Sequence, residues 1–107
     1  MNKQYYIYRD KSGDVIAAVI SLEDDKLKYA LEHKVHHSPT GFEFGYEGSG
    51  PAELARSILW DYLGEEPMPG LYQEFKRQFI APVKEEFFII SDYSIQEFLK
   101  SRIDQNL

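Results

Sequence analysis

Between Gly48 and Gly64 the chain carries the pattern that leaves it least conformational freedom. Leu54, Ala55, Ile58, Leu59, Tyr62 and Leu63 recur at helical spacing and form one apolar stripe, with Arg56, Ser57 and Asp61 outside it. Pro51 stands just inside a helix start, where a missing N–H costs little, and Gly64 stands where such a helix closes. The reading is a helix over residues 51–63 whose stripe must be covered. The rest of a chain of 107 residues, the size of one ordinary domain, has to supply the cover. We read residues 1–107 as a single domain.

Aromatic residues make up 15% of the chain (Tyr 8, Phe 7, Trp 1). A short chain buries a smaller share of its surface than a long one, and large rings offset that by removing much apolar area from water. Most of the rings are therefore read as core.

Upstream of the helix, the β-rich runs 5–8 and 15–20 flank Asp10-Lys11-Ser12-Gly13-Asp14, whose Asp and Gly residues suit a turn, so a hairpin is expected. For residues 21–37 two readings stand. Ser21-Leu22-Glu23-Asp24 looks like a capped helix start, with Leu27, Ala30, Leu31 and Val35 at helical spacing; Leu27-Lys28-Tyr29 also suits a strand. The helix is favoured. Phe42, Phe44 and Tyr46 alternate, which predicts a strand with three rings on its core side.

Downstream, Leu71, Tyr72, Phe75, Phe79 and Ile80 predict a second helix ending near Pro82, with a strand over 75–83 as the alternative. Phe87-Phe88-Ile89-Ile90 reads as a short buried strand. Ser94-Ile95-Gln96-Glu97 has the form of a capping box before a helix with Ile95, Phe98, Leu99 and Ile103 on its apolar face. Strands and helices in irregular order, joined too closely for repeated βαβ units, predict an α+β fold: a small, mostly antiparallel sheet with about three helices packed on one face.

The formal charge of −6 opposes direct nucleic-acid binding, which needs a basic footprint. The excess acid is local. Residues 41–70 hold Glu43, Glu47, Glu53, Asp61, Glu65 and Glu66 against Arg56 alone. That block is either a solvated helix face with an acidic turn or a patch that docks a basic surface. Cysteine is absent, which removes disulfides, thiolate zinc sites and cysteine catalysis and fits a reducing, cytoplasmic setting. The N-terminal residues lack the succession of a signal peptide, and no apolar run is long enough to span a bilayer.

Ser38-Pro39-Thr40-Gly41-Phe42-Glu43-Phe44-Gly45-Tyr46-Glu47-Gly48-Ser49-Gly50-Pro51-Ala52-Glu53-Leu54-Ala55 resembles an uncharacterised family of small proteins found in bacteria, phages and plasmids. Its members carry a stretch of the form SPTGFEWGYGGSGPAQLA before an amphipathic helix. Leu71-Tyr72-Gln73-Glu74-Phe75-Lys76 and the closing Phe88-Ile89-Ile90-Ser91 are similar too, so the resemblance covers roughly residues 38–103. Phe44 stands where tryptophan is usual and Glu47 where glycine is usual. The resemblance implies a mobile-element context and no particular activity.

Three functional readings follow. The leading one is a non-catalytic binding module, a phage or mobile-element accessory protein that modulates a host (defence) protein. Glu47, Glu53, Asp61, Glu65 and Glu66 would meet a basic surface of that protein partner, with Trp60 as an anchor. Trp60 could equally pack under the N-terminal hairpin. The second is a binder of a nucleotide-like ligand or phosphate at the glycine turn 45–51, through Tyr46, Gly48, Ser49 and Gly50 at a helix N-terminus. Against it, the turn lacks the lysine and spacing of a nucleotide loop, Pro51 removes an N–H, and Glu47 and Glu53 bring negative charge. The third is an enzyme using His33, His36 or His37. Neither these histidines, with Glu32, nor the paired acids 24–25, 65–66 and 85–86 form a catalytic or metal constellation fixed by spacing. We therefore expect no cofactor, no metal, no membrane and no catalytic residue; a homo-oligomer stays open.

Overall fold

The structure, a computed structural model, describes residues 3–31 and 41–105, with side chains up to Arg102. Strands β1 (Lys3–Arg9) and β2 (Val15–Ser21) form the expected hairpin. Asp10 organises its turn: Oδ1 accepts the N–H groups of Ser12 (2.9 Å) and Asp14 (3.0 Å). Then come β3 (Leu27–Ala30), α1 (Ser49–Leu63), α2 (Pro69–Phe75), β4 (Phe87–Ile90) and α3 (Asp92–Gln105). The four strands make one antiparallel sheet in the order β3-β2-β1-β4, and with the three helices this is an α+β fold.

One face of the sheet is the core face. Tyr5, Ile7, Ala17, Val19 and Ile90 join Leu54, Ile58 and Leu59 of α1, Phe75, and Ile95 and Phe98 of α3 in a single buried cluster. Phe98 meets Phe75 edge to face at 5.2 Å between centroids. Helix α1 runs as its periodicity predicts and closes on Gly64, whose N–H returns to the Trp60 carbonyl at 2.8 Å. It is buried well beyond its stripe: every residue from 50 to 59 is covered, Glu53, Arg56 and Ser57 included. A helix enclosed this way packs on more than one side; Arg56 is paired with Glu66, whereas the buried Ser57 hydroxyl finds no hydrogen-bond partner among the described residues.

The second helix also forms where expected, and the alternative strand over 75–83 does not. It ends unusually, in one π-helical turn over Lys76–Ile80, closed by the Ala81 N–H on the Lys76 carbonyl (2.9 Å). Such turns insert an extra residue and re-aim the side chains around them.

Five expectations need correction. No helix starts at Ser21, where β2 ends. The Ser21 hydroxyl accepts the Glu23 N–H (3.2 Å), the bond a cap would make, but within a turn where Asp25 takes a left-handed φ of 57°. Residues 32–37, with Val35 of that expected helix, lie outside the described residues. Phe42–Tyr46 is not a strand. Phe42 and Phe44 are buried, but Gly45 turns the chain (φ 88°), donates its N–H to the Ile80 carbonyl (3.1 Å) and leaves Tyr46 half exposed. β4 is an edge strand rather than a buried one, with Phe87 and Ile89 facing out. The cap of α3 is Ser91, three residues before the expected Ser94: its Oγ accepts the Ser94 N–H at 3.0 Å. Arg56 and Ser57, read as lying outside the stripe of α1, are buried.

Candidate functional site

The corner before α1 is filled by the chain itself. Gly48 is extended backbone, and the Tyr46 ring lies across it: a Cβ there would sit 2.5 Å from Tyr46 Cε2. A Cβ at Gly50 would sit 2.7 Å from Cβ of Glu43. Both glycines are needed for close approach, and the space they leave holds Tyr46 and Glu43. Ser49 is exposed and Gly50 buried. Among the described residues, no side chain caps the helix.

The acidic block from 41 to 70 separates into groups with different surroundings. Glu53 is fully buried, so it belongs to the interior and presents no carboxylate to a partner. Asp61 is a hub between sheet and helix. Its carboxylate accepts the Tyr5 hydroxyl (2.6 Å) and the Tyr29 hydroxyl, and pairs with the Lys3 ammonium at 2.9 Å. Lys3 also donates to the Asp61 carbonyl at 3.0 Å. Burial and then the hydrogen bond to Asp61 push the Tyr5 phenol well above its ordinary value and raise that of Tyr29. Burial pulls the Lys3 ammonium down, but Asp61 outweighs it and the net shift is upward.

Glu47 and Glu66 differ from Asp61. Each pairs with a cation, Lys76 at 2.9 Å and Arg56 at 2.8 Å respectively. In both pairs the cation is sunk and the carboxylate stands out: side-chain exposure is 10% for Lys76 against 58% for Glu47, and 7% for Arg56 against 54% for Glu66. The surface thus shows acid while the bases lie beneath it. Glu65, next to Glu66, is exposed as well. Glu66 borders an open hollow of about 290 Å³ with Arg56, Met68 and Tyr72. Trp60 is half-buried with the Arg56 guanidinium 4.9 Å above its ring, so one arginine joins Glu66 to Trp60.

The reading of the sequence missed Arg9. Its guanidinium forms a two-pronged bond with Glu43 (2.8 and 3.0 Å), donates to Glu86 (3.1 Å) and to the Gly13 carbonyl (3.0 Å), and lies 5.0 Å over the Phe44 ring. The Arg9 bond, against the opposing effect of burial, holds the Glu43 carboxyl below its usual range. The only sequence signal was that Arg9 ends a strand beside a turn.

His33, His36 and His37 lie outside the described residues. Among the described residues, no three His, Cys, Asp or Glu side chains converge as metal ligands, and no helix is long and apolar enough to cross a membrane.

The sequence model of a family of unknown function (DUF6166) matches residues 7–101, so the likeness takes in the N-terminal hairpin from Ile7 onward as well as the glycine corner and all three helices. Neither a curated protein nor a solved structure matches the chain.

Proposed function

We propose that this chain, which belongs to the family of unknown function DUF6166, is a non-catalytic binding module that modulates a protein partner through an acidic surface. In a phage or mobile-element setting that partner is a host protein. The observation that carries the reading is the arrangement of Glu47 and Glu66 over Lys76 and Arg56, bases inward and acids outward, with Glu65 beside them. Glu47 precedes α1 and Glu66 follows it, so the two acids stand roughly 20–25 Å apart along a helix of this length. A basic surface of ordinary interface size could span both. Charge at such a contact mainly speeds association and sets specificity. Glu53 and Asp61 drop out of this surface, because both are engaged in the fold.

The phosphate-binding alternative has less support. Tyr46 occupies the approach to Gly48, and the Glu43 and Glu47 side chains flank it. An anion there would have to displace the ring, beside two carboxylates that already hold cations, Glu43 with Arg9 and Glu47 with Lys76.

Capture from host lysate tests the reading when wild-type protein is compared with Glu65→Lys and Glu47→Gln/Glu65→Lys chains. Capture that weakens stepwise with the two changes and with added salt is the expected result. Capture indifferent to both, or none at all, would remove the acidic-surface reading.

A further inference from the structure

The hollow of about 290 Å³ beside Glu66 has two kinds of wall. Pro67, Met68, Pro69 and Tyr72 are apolar or aromatic; Arg56 and Glu66 are a bonded ion pair. The prolines hold fixed backbone angles, and Met68 between them is extended (ψ 144°) with its side chain 74% exposed. Tyr72 is anchored in the core from α2. Walls of this kind stand before a ligand arrives, so little ordering opposes binding. Pockets that enclose whole small molecules run to ~300–1,000 Å³. This hollow lies at their lower limit and suits one long side chain.

The charges decide which side chain. The Arg56 guanidinium donates to Glu66 Oε1 at 2.8 Å, lies 4.9 Å over the Trp60 ring and is only 7% exposed. A ligand anion would have to break that bond and pass the exposed carboxylates of Glu65 and Glu66. Acid also outnumbers base beneath the surface, because Glu53 is buried three residues before Arg56 in α1. The Tyr72 phenol answers to the same charges: burial raises it first, Arg56 lowers it, Glu53 and Glu66 raise it, and the net shift is upward. A cation therefore fits the hollow better than an anion does. Arg56 takes Oε1 of Glu66, and Oε2 accepts no hydrogen bond among the described residues. The two-pronged bond of an arginine needs both oxygens, whereas an ammonium is satisfied by one. The mostly apolar wall complements a methylene stem, and an unbranched, polarisable methionine adapts to it.

We propose that this hollow seats a lysine side chain of the protein partner, its ammonium on Glu66 Oε2 and its stem along Pro67, Met68 and Pro69. The assignment rests on the acidic surface proposed above and names its anchor.

Chemical-shift titration of the labelled full chain with a blocked glycyl-lysyl-glycine tripeptide tests it. Shifts at Glu66, Met68 and Tyr72 are expected to saturate at peptide concentrations on the order of millimolar, the range of a single anchor. The same tripeptide with arginine in the middle is expected to bind more weakly, and those with norleucine or glutamate not to saturate. Glu66→Gln is expected to weaken lysine binding about tenfold, as loss of a bond to a charged acceptor does. Glu47→Gln, at the other end of α1, is expected to leave it unchanged. If Glu66→Gln does not fold, Met68→Ala, at an exposed position, decides: it keeps the carboxylate and is expected to weaken binding about fourfold, the equivalent of one uncovered methylene. No saturable shift with the lysine tripeptide overturns the proposal. So does equal binding of the arginine, norleucine or glutamate tripeptide, or lysine binding that survives Glu66→Gln or Met68→Ala unaltered. The tripeptide needs no lysate: if it fails while capture still weakens with Glu65→Lys and salt, the hollow is lost and the acidic surface stands.

Discussion

The Tyr5 hydroxyl donates to Asp61 Oδ2 at 2.6 Å, so an interior residue of the first strand is bolted to the last turn of α1. Lys3 and Tyr29 close on the same carboxylate from β1 and β3. Removing a bond to a charged acceptor costs about 1.5–3 kcal/mol, so Tyr5→Phe is expected to lose that much. Asp61→Ala leaves three donors without their acceptor and is expected to cost more than Tyr5→Phe. Urea unfolding reads both as a lower midpoint at unchanged slope. An Asp61→Ala chain as stable as wild type would show the hub to be decorative.

The glycine corner makes an ordered prediction. At Gly50 a new Cβ meets Glu43 Cβ, close to backbone, whereas at Gly48 it meets the ring of a half-exposed tyrosine that can swing away. Gly50→Ala is expected to cost about 1–3 kcal/mol, as overpacking does. Gly48→Ala should cost less, and Tyr46→Ala should relieve most of that cost. Thermal unfolding of the three variants and the Tyr46→Ala/Gly48→Ala pair checks the order. Equal losses at the two glycines would contradict it.

Alkaline pH should weaken the fold in a defined window. Burial, and then the bond to Asp92 (2.7 Å), push the Tyr62 phenol from 10.0 up to about 12. The neutral phenol is the form the fold stabilises. Its contribution is complete below pH 10.0 and is lost as pH rises through about 12. Tyr62→Phe should therefore show a shallower fall in stability across that window, followed by circular dichroism in urea. An unchanged slope would remove Tyr62 from the account.

Acid works the other way at Glu43. Arg9 lowers its carboxyl below 4.5, so the pair stabilises fully above that value and is lost as pH falls through the lower folded value. Glu43→Gln should flatten this part of the acid limb. Arg9→Lys cannot keep two parallel bonds or stack on Phe44, and should cost about 1.5–3 kcal/mol at neutral pH. Wild-type stability for Arg9→Lys would mean that a point charge suffices.

What could be read in the chain was whatever short stretches decide alone. The stripe of α1, its Gly64 stop and the Asp10 turn depend on neighbours within a few residues, and all three are present. Ser21 misled because one hydroxyl-to-N–H bond serves a helix cap and a turn alike. Phe42–Tyr46 misled because alternation records which side chains are buried, not whether the backbone is laddered; Gly45 decides that. Phe87–Ile90 is as apolar as a central strand, and its place at the edge depends on β1, some eighty residues earlier. The candidate surface was half legible. Acid in 41–70 was visible, but the buried bases that sort Glu47 and Glu66 from Asp61 and Glu53 come from residues brought together only by folding.

The acidic surface is tested most directly by amide chemical-shift mapping on the labelled chain, titrated with the protein it captures. The account predicts that shifts concentrate around Glu47 and residues 64–68, and shrink as salt is raised. Shifts confined to Tyr8, Phe87 and Ile89 on the far side of the sheet, unaffected by salt, would contradict it.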